Sequence, residues 1–109
     1  MWKGDPNGFW VVFWADQIVA FIGVHGSWLE KNGRIGEIHE LVVCPEYQGK
    51  GLATALLEKA FSYCVSLGRR KIGLWVGEKN QPAIRLYLKA GFVRTGQWGK
   101  WIRMKKEVI

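Results

Sequence analysis

The chain has 109 residues, 49% of them hydrophobic and 23% charged, which is enough apolar material for one core and gives an expectation of a single domain over residues 1–109. No apolar run approaches the ~18 residues of a membrane helix, and the opening MWKGDPNGFW lacks the apolar centre of a secretion signal, so a soluble cytoplasmic protein is expected. The net charge of +7 points to an anionic partner (a phosphate-bearing cofactor, nucleic acid or an acidic protein), and two cysteines are too few for a disulfide framework or a zinc cluster.

In chain order, FWVVFW (Phe9 to Trp14) reads as a strand of β-branched and aromatic residues. A short turn, ADQ, leads to a second strand, Ile18 to Val24, closing a hairpin. Asn32-Gly33 marks another hairpin, for which a type I′ turn with positive φ at both positions is expected. The third strand runs from about Ile35 to Val43, so the first three strands form a meander. His25 falls in the connection.

Apolar residues then recur at helical spacing: Leu52, Ala53, Leu56, Leu57, Ala60, Phe61, Cys64 and Val65. Gly68 suits a left-handed stop. KIGLWV (Lys71 to Val76) is a short buried strand, and strand, helix, strand at this spacing makes a crossover between parallel strands. Asn80 and Pro82 open a second helix, Gly91 ends it, and a final hairpin turns near Gly99. The predicted order is βββαβαββ, a mixed, largely antiparallel sheet with one central parallel pair and two helices.

The loop between the third strand and the first helix, CPEYQGKGLATALL, carries the chemistry. A glycine-rich loop entering a helix exposes several backbone N–H groups in one direction, and the helix adds its free first-turn amides and positive dipole end. Gln48 to Ala53 therefore suits a pyrophosphate, with Lys50 adding charge and Thr54 closing the first turn. The pattern is neither a P-loop nor a dinucleotide fingerprint. A plain strand-to-helix turn that uses glycine only for geometry stays open as the alternative.

At this point the chain resembles the GNAT superfamily of N-acetyltransferases. Gln48-Gly49-Lys50-Gly51-Leu52-Ala53 is similar to that family's [Q/R]-x-x-G-x-[G/A] acetyl-coenzyme A signature. NQPAIRLYLKAGFVRTG, from Asn80, is similar to its N-x-x-A-x-x-L-Y-x-x-x-G-F helix, in the family's order and at its spacing. The resemblance runs roughly from Phe9 to Met104. It implies acetyl-CoA as co-substrate, no metal, and a primary amine as acceptor (a small molecule, a peptide N-terminus or a lysine). It also implies that the third strand and KIGLWV splay apart to admit the pantetheine arm. Main-chain groups around Leu41, Val42 and Val43 would hold the acetyl and pantetheine portions, and Gln48, Gly49, Lys50, Gly51, Leu52, Ala53 and Thr54 the pyrophosphate. Asn80 would touch the pantetheine or simply cap its helix. Tyr87 would protonate the departing thiolate, or be a packed aromatic.

Such a reaction needs proximity, a neutral amine, a stabilised oxyanion and a proton donor for sulfur. For the base, strict alternation puts Glu37, His39, Leu41 and Val43 on one face of the third strand and Ile38, Glu40 and Val42 on the other. Glu37 and His39 are then the candidates. Glu40 is held in reserve, because a bulge would shift the parity. Solvated or structurally paired roles stay open for all three.

The chain departs from the family in one respect. Only MWKGDPNG precedes Phe9, where the family carries a first strand and helices. Either the chain is an N-terminally truncated form of a longer protein or it is an unusually short member, and the acceptor cleft is then expected to be open, or completed by a second subunit in a homodimer. Two further readings stay open: a non-catalytic acyl-CoA-binding sensor or assembly subunit, and nucleic-acid binding through the basic surface. The second of these lacks any recognition motif.

Overall fold

The computed structural model describes residues 2–5 and 8–109. Seven strands form one sheet in the order β1-β2-β3-β4-β5-β7-β6: β1 Trp2–Asp5, β2 Phe9–Trp14, β3 Gln17–Glu30, β4 Gly33–Val43, β5 Lys71–Gly77, β6 Val93–Trp98 and β7 Trp101–Glu107. Helix α1 (Leu52–Ser66) joins β4 to β5, and α2 (Gln81–Lys89) joins β5 to β6. This is the expected mixed architecture, with one short edge strand, β1, ahead of the strand beginning at Phe9.

Every neighbouring pair is antiparallel except β4–β5. The connection from β4 to β5 is a crossover through α1, which is what a parallel pair needs. Their contact is brief: Gly36 pairs with Ile72, Glu37 pairs with Gly73, and there it stops. Beyond this point β4 stays paired to β3 as far as Val43, and β5 to β7 as far as Gly77. The sheet therefore forks at Glu37 and Gly73.

Both helices bury one stripe in a common core. From α1 come Leu56, Leu57, Ala60 and Cys64, and from α2 Ile84 and Tyr87. They meet Ile22, Ile38, Ile72, Leu74, Ile102, Met104 and Phe92. Each helix ends the same way. Gly68 (φ 76°) and Gly91 (φ 101°) take left-handed conformations. The N–H of the residue after each glycine bonds back into the last turn, Arg69 to Cys64 O and Phe92 to Tyr87 O, both at 2.9 Å.

Two local expectations are corrected. The β3–β4 turn has Lys31 and Asn32 at its centre, since Glu30 pairs with Gly33, and the positive φ falls on Gly33 rather than on two successive residues. His25 lies within β3, which runs on to Glu30. Among the described residues no helix is long and apolar enough to cross a membrane.

Candidate active site

The register between β3 and β4 breaks twice near the fork, once on β3 between His25 and Trp28 and once on β4. Gly23 pairs with Glu40, yet the next residue, Val24, pairs with Ile38. His39 is the extra residue of a β-bulge, and the bulge reverses the alternation beyond it. Gly36 and Ile38 face α1, as do Leu41 and Val43, which pack against the core. A Cβ on Gly23 would lie 3.6 Å from Glu40 Cγ, beside Phe9, which puts Glu40 on the opposite face. The strict odd-even reading is thus overturned: Glu37 shares its face with Glu40, not with Leu41 and Val43.

From Ile38 to Val43, β4 has a strand partner on its β3 side only. The backbone edge turned toward the gap opens onto a cavity of about 610 Å³. Its walls are Leu41, Val42 and Val43 from β4, Gln48, Gly49, Gly51, Leu52, Ala53 and Thr54 from the loop and first turn of α1, and Asn80 and Tyr87 from α2. The structure brings all of these sequence-selected residues together. Lys50 is not among them; it lines an adjoining recess with Val12 and Trp14, which shares Tyr47 and Leu52 with the cavity. The cavity also includes Tyr47, Pro82, Ala83, Leu86 and Lys89. Part of this was visible in the sequence, because Asn80, Ala83 and Tyr87 recur at the spacing of one helical face.

Gly49 (φ 77°) and Gly51 (φ 81°) are both left-handed. Nothing lies within 4 Å of a Cβ built on either, so glycine is required here for its φ and not for space. Gly51 is the N-cap of α1 and offers no side chain to the first turn. The amides that a serine or aspartate cap would satisfy are left for another acceptor. The Gln48 side-chain amide donates to the Val43 carbonyl at 3.1 Å, tying the loop to the end of the strand rather than reaching outward.

Asn80 does cap α2: its Oδ1 accepts from the Ala83 N–H at 3.3 Å. Tyr87 is 8% exposed and packs edge-on against Phe92, with ring centroids 5.6 Å apart. Burial pushes its phenol above the ordinary range, so the group holds its proton at neutral pH. Cys64 is sealed in the core, where burial pushes its thiol up to about 11. Cys44 is partly exposed, with its Sγ turned to the Ile18 carbonyl at 3.9 Å.

The three candidate bases separate. Glu37 is 3% exposed and both its oxygens accept from Arg103, at 2.7 and 2.8 Å. A carboxylate buried in a two-pronged ion pair is turned toward the guanidinium and is poorly placed to take a proton from an incoming amine. His39 is exposed and stacks edge-on with Trp28 and His25, at 5.5 and 5.9 Å. Glu40 is exposed on the same helix-free face.

A free strand edge, a run of uncapped amides and a buried phenol around one cavity can hold an acylated, phosphate-bearing arm. Comparison with known proteins agrees. Residues 1–92 match the model of the acetyltransferase (GNAT) family. An uncharacterised N-acetyltransferase of Methanocaldococcus jannaschii is 36% identical over 108 residues, 97% of this chain and 48% of that protein. The crystal structure of PH1933 from Pyrococcus horikoshii superposes with a TM-score of 0.87 at 41% identity, covering 93% of this chain and 65% of that one. The PaiA N-acetyltransferase of Thermoplasma acidophilum, solved in complex with coenzyme A, gives 0.80 at 25% identity, covering 91% and 59%. The chain thus spans about half the length of the Methanocaldococcus relative it matches.

Proposed function

The chain belongs to the acetyltransferase (GNAT) family, and on that premise we propose that it transfers an acetyl group from acetyl-CoA to a primary amine. The observation that carries this reading is the cavity itself. It joins the open edge of β4 to the uncapped start of α1, with Tyr87 on its wall.

In this reading the pyrophosphate rests on the amides of Gln48 to Thr54, where glycine backbone and helix dipole both favour an anion. The pantetheine arm adds to the free edge of β4 in the manner of a strand, bonding to the main chain of Leu41 to Val43. The thioester carbonyl meets backbone N–H groups of the same edge near the bulge, which stabilise the oxyanion as it forms. The neutral amine attacks the carbonyl carbon, a C–N bond forms and the C–S bond breaks. Tyr87 gives its proton to the leaving sulfur and is reprotonated from solvent. The proton lost by the nitrogen leaves through His39 or Glu40, both of which reach water. Glu37 is excluded from that role by its ion pair. Asn80 fixes the start of α2, and through it the height of Tyr87 above the gap.

Titration calorimetry with acetyl-CoA tests the cofactor assignment: micromolar or tighter binding is expected, and a folded protein that releases no heat over that range contradicts it. A panel of small amines, peptides and lysine substrates, followed by free-thiol release, then tests turnover. Binding without thiol release across the panel favours the sensor reading instead. Replacing His39 by Ala and Glu40 by Gln separates the two proton paths, because only the true path loses the acidic limb of its pH–rate profile.

A further inference from the structure

A side-chain bridge crosses the fork between β4 and β5. Arg103, on β7, reaches over β5 to Glu37, on β4, and meets it with two parallel hydrogen bonds: Nη1 to Oε2 at 2.7 Å and Nη2 to Oε1 at 2.8 Å. Both residues are buried, at 6% and 3% exposure. Nη2 also donates to Glu30 Oε1 at 3.2 Å, and Lys105 Nζ holds the same oxygen at 2.6 Å. The guanidinium lies over the Trp75 ring, 5.2 Å from its centroid.

The bridge passes directly over Gly73. A Cβ at that position would lie 2.7 Å from Arg103 Nη2 and 3.1 Å from Glu37 Oε1. Gly73 is the partner of Glu37 in the last residue pair before the strands part. The bridge therefore sits where the fork begins.

We propose that the Glu37–Arg103 pair is a positioning device for acetyl transfer: it fixes the point and the width at which β4 and β5 separate. The proposal rests on the acetyltransferase reading above. Two residue pairs are a weak anchor for strands between which an acyl arm must lie. A planar two-pronged ion pair adds a contact with little angular freedom, and burial shields it from salt. Neither residue touches the acetyl group. Their effect passes through the backbone of β4, whose edge holds the thioester carbonyl. A small change in that edge is costly, since misplacement by about 1 Å can lower a rate by about 10²-fold.

The test replaces both partners at once, E37M/R103M. Substituting apolar side chains of similar volume for a buried ion pair generally preserves stability, whereas removing one partner strands a charge. The double variant is expected to keep its thermal midpoint and its calorimetric affinity for CoA. The carbonyl resonance of bound [1-13C]acetyl-CoA should move toward its free value. For any amine that the wild type acetylates, kcat should fall by about 10–100-fold with the pH profile unchanged in shape. A carbonyl resonance and kcat equal to wild type would overturn the proposal, and so would loss of the acidic limb, which would mark Glu37 as the base.

If the double variant does not fold, Gly73→Ala takes its place, since it displaces the guanidinium while keeping both charges; the same shift and the same kcat loss are expected. Should the wild type not bind acetyl-CoA, the functional reading falls, and amide exchange in the ligand-free protein still decides the bridge. Exchange of the strand ends Glu40–Val43 and Trp75–Gly77 should be faster in the variants, and unchanged rates would overturn it.

Discussion

Tyr87 combines burial with a position on the cavity wall, and the two have linked consequences. Burial disfavours the phenolate, so the folded pKa lies above the usual 10.0 and the hydroxyl is a donor at neutral pH. Donor activity is therefore complete below that value and is lost as pH rises through the raised one. Tyr87→Phe should lower kcat by about 10²–10⁴-fold while leaving acetyl-CoA affinity unchanged, and should abolish the alkaline limb of the kcat profile. Stopped-flow thiol release over pH checks both effects. Glu30 behaves with the opposite sign. Its hydrogen bond to Lys105, aided by that to Arg103, holds its carboxyl below the usual 4.5 against the effect of burial. The stabilisation is complete above 4.5 and is lost as pH falls through the lowered folded value. Urea midpoints should drop across that interval more steeply in the wild type than in Lys105→Met. Equal slopes would show that this ion pair carries none of the acid sensitivity.

Between elements, the close approach of α1 to β4 depends on a missing side chain. A Cβ at Gly36 would run into Cys64 Sγ. Gly36→Ala should destabilise the fold by about 1–3 kcal/mol through overpacking. In a Cys64→Ala background the cost should shrink, because the obstructing sulfur is gone; a double-mutant cycle by chemical denaturation measures that coupling. At the other end of α1 the reasoning concerns backbone and not space. Gly51 has φ 81° with open surroundings, so Gly51→Ala loses about 1–2 kcal/mol from the left-handed conformation alone. Any relaxation of that strain turns the first-turn amides, so CoA affinity should fall as well. Gly51→Asn should fall less on both measures, since asparagine tolerates the left-handed region. Matching losses in Ala and Asn would mean that the side chain itself blocks the ligand.

Over the whole molecule, what was legible in the sequence divides by distance along the chain. The loop from Gln48 to Thr54 and the helix from Asn80 to Tyr87 are local patterns, and cap, glycine and periodicity signals suffice to read them. The bulge at His39 was not legible, because it belongs to the register between two strands. Nor was the partner of Glu37, which lies 66 residues away. These two nonlocal features altered the reading of the candidate acid–base residues, while the residues expected to hold the cofactor line one cavity, save Lys50. The same division gives a test of the assembled site. The cavity is built from three stretches, the end of β4, the start of α1 and one face of α2, and α2 makes few direct contacts with the other two. A ligand bridging them should protect them together. CoA at about 100-fold its Kd should add about 2.7 kcal/mol of stability. Amide exchange should slow at Leu41–Val43 and Leu52–Thr54, leaving β6 and β7 as in the free protein. The far hairpin, though part of the same sheet, lines none of the cavity and has no reason to respond. Protection spread evenly over all seven strands would show general tightening of the fold rather than occupation of the gap between β4 and α2.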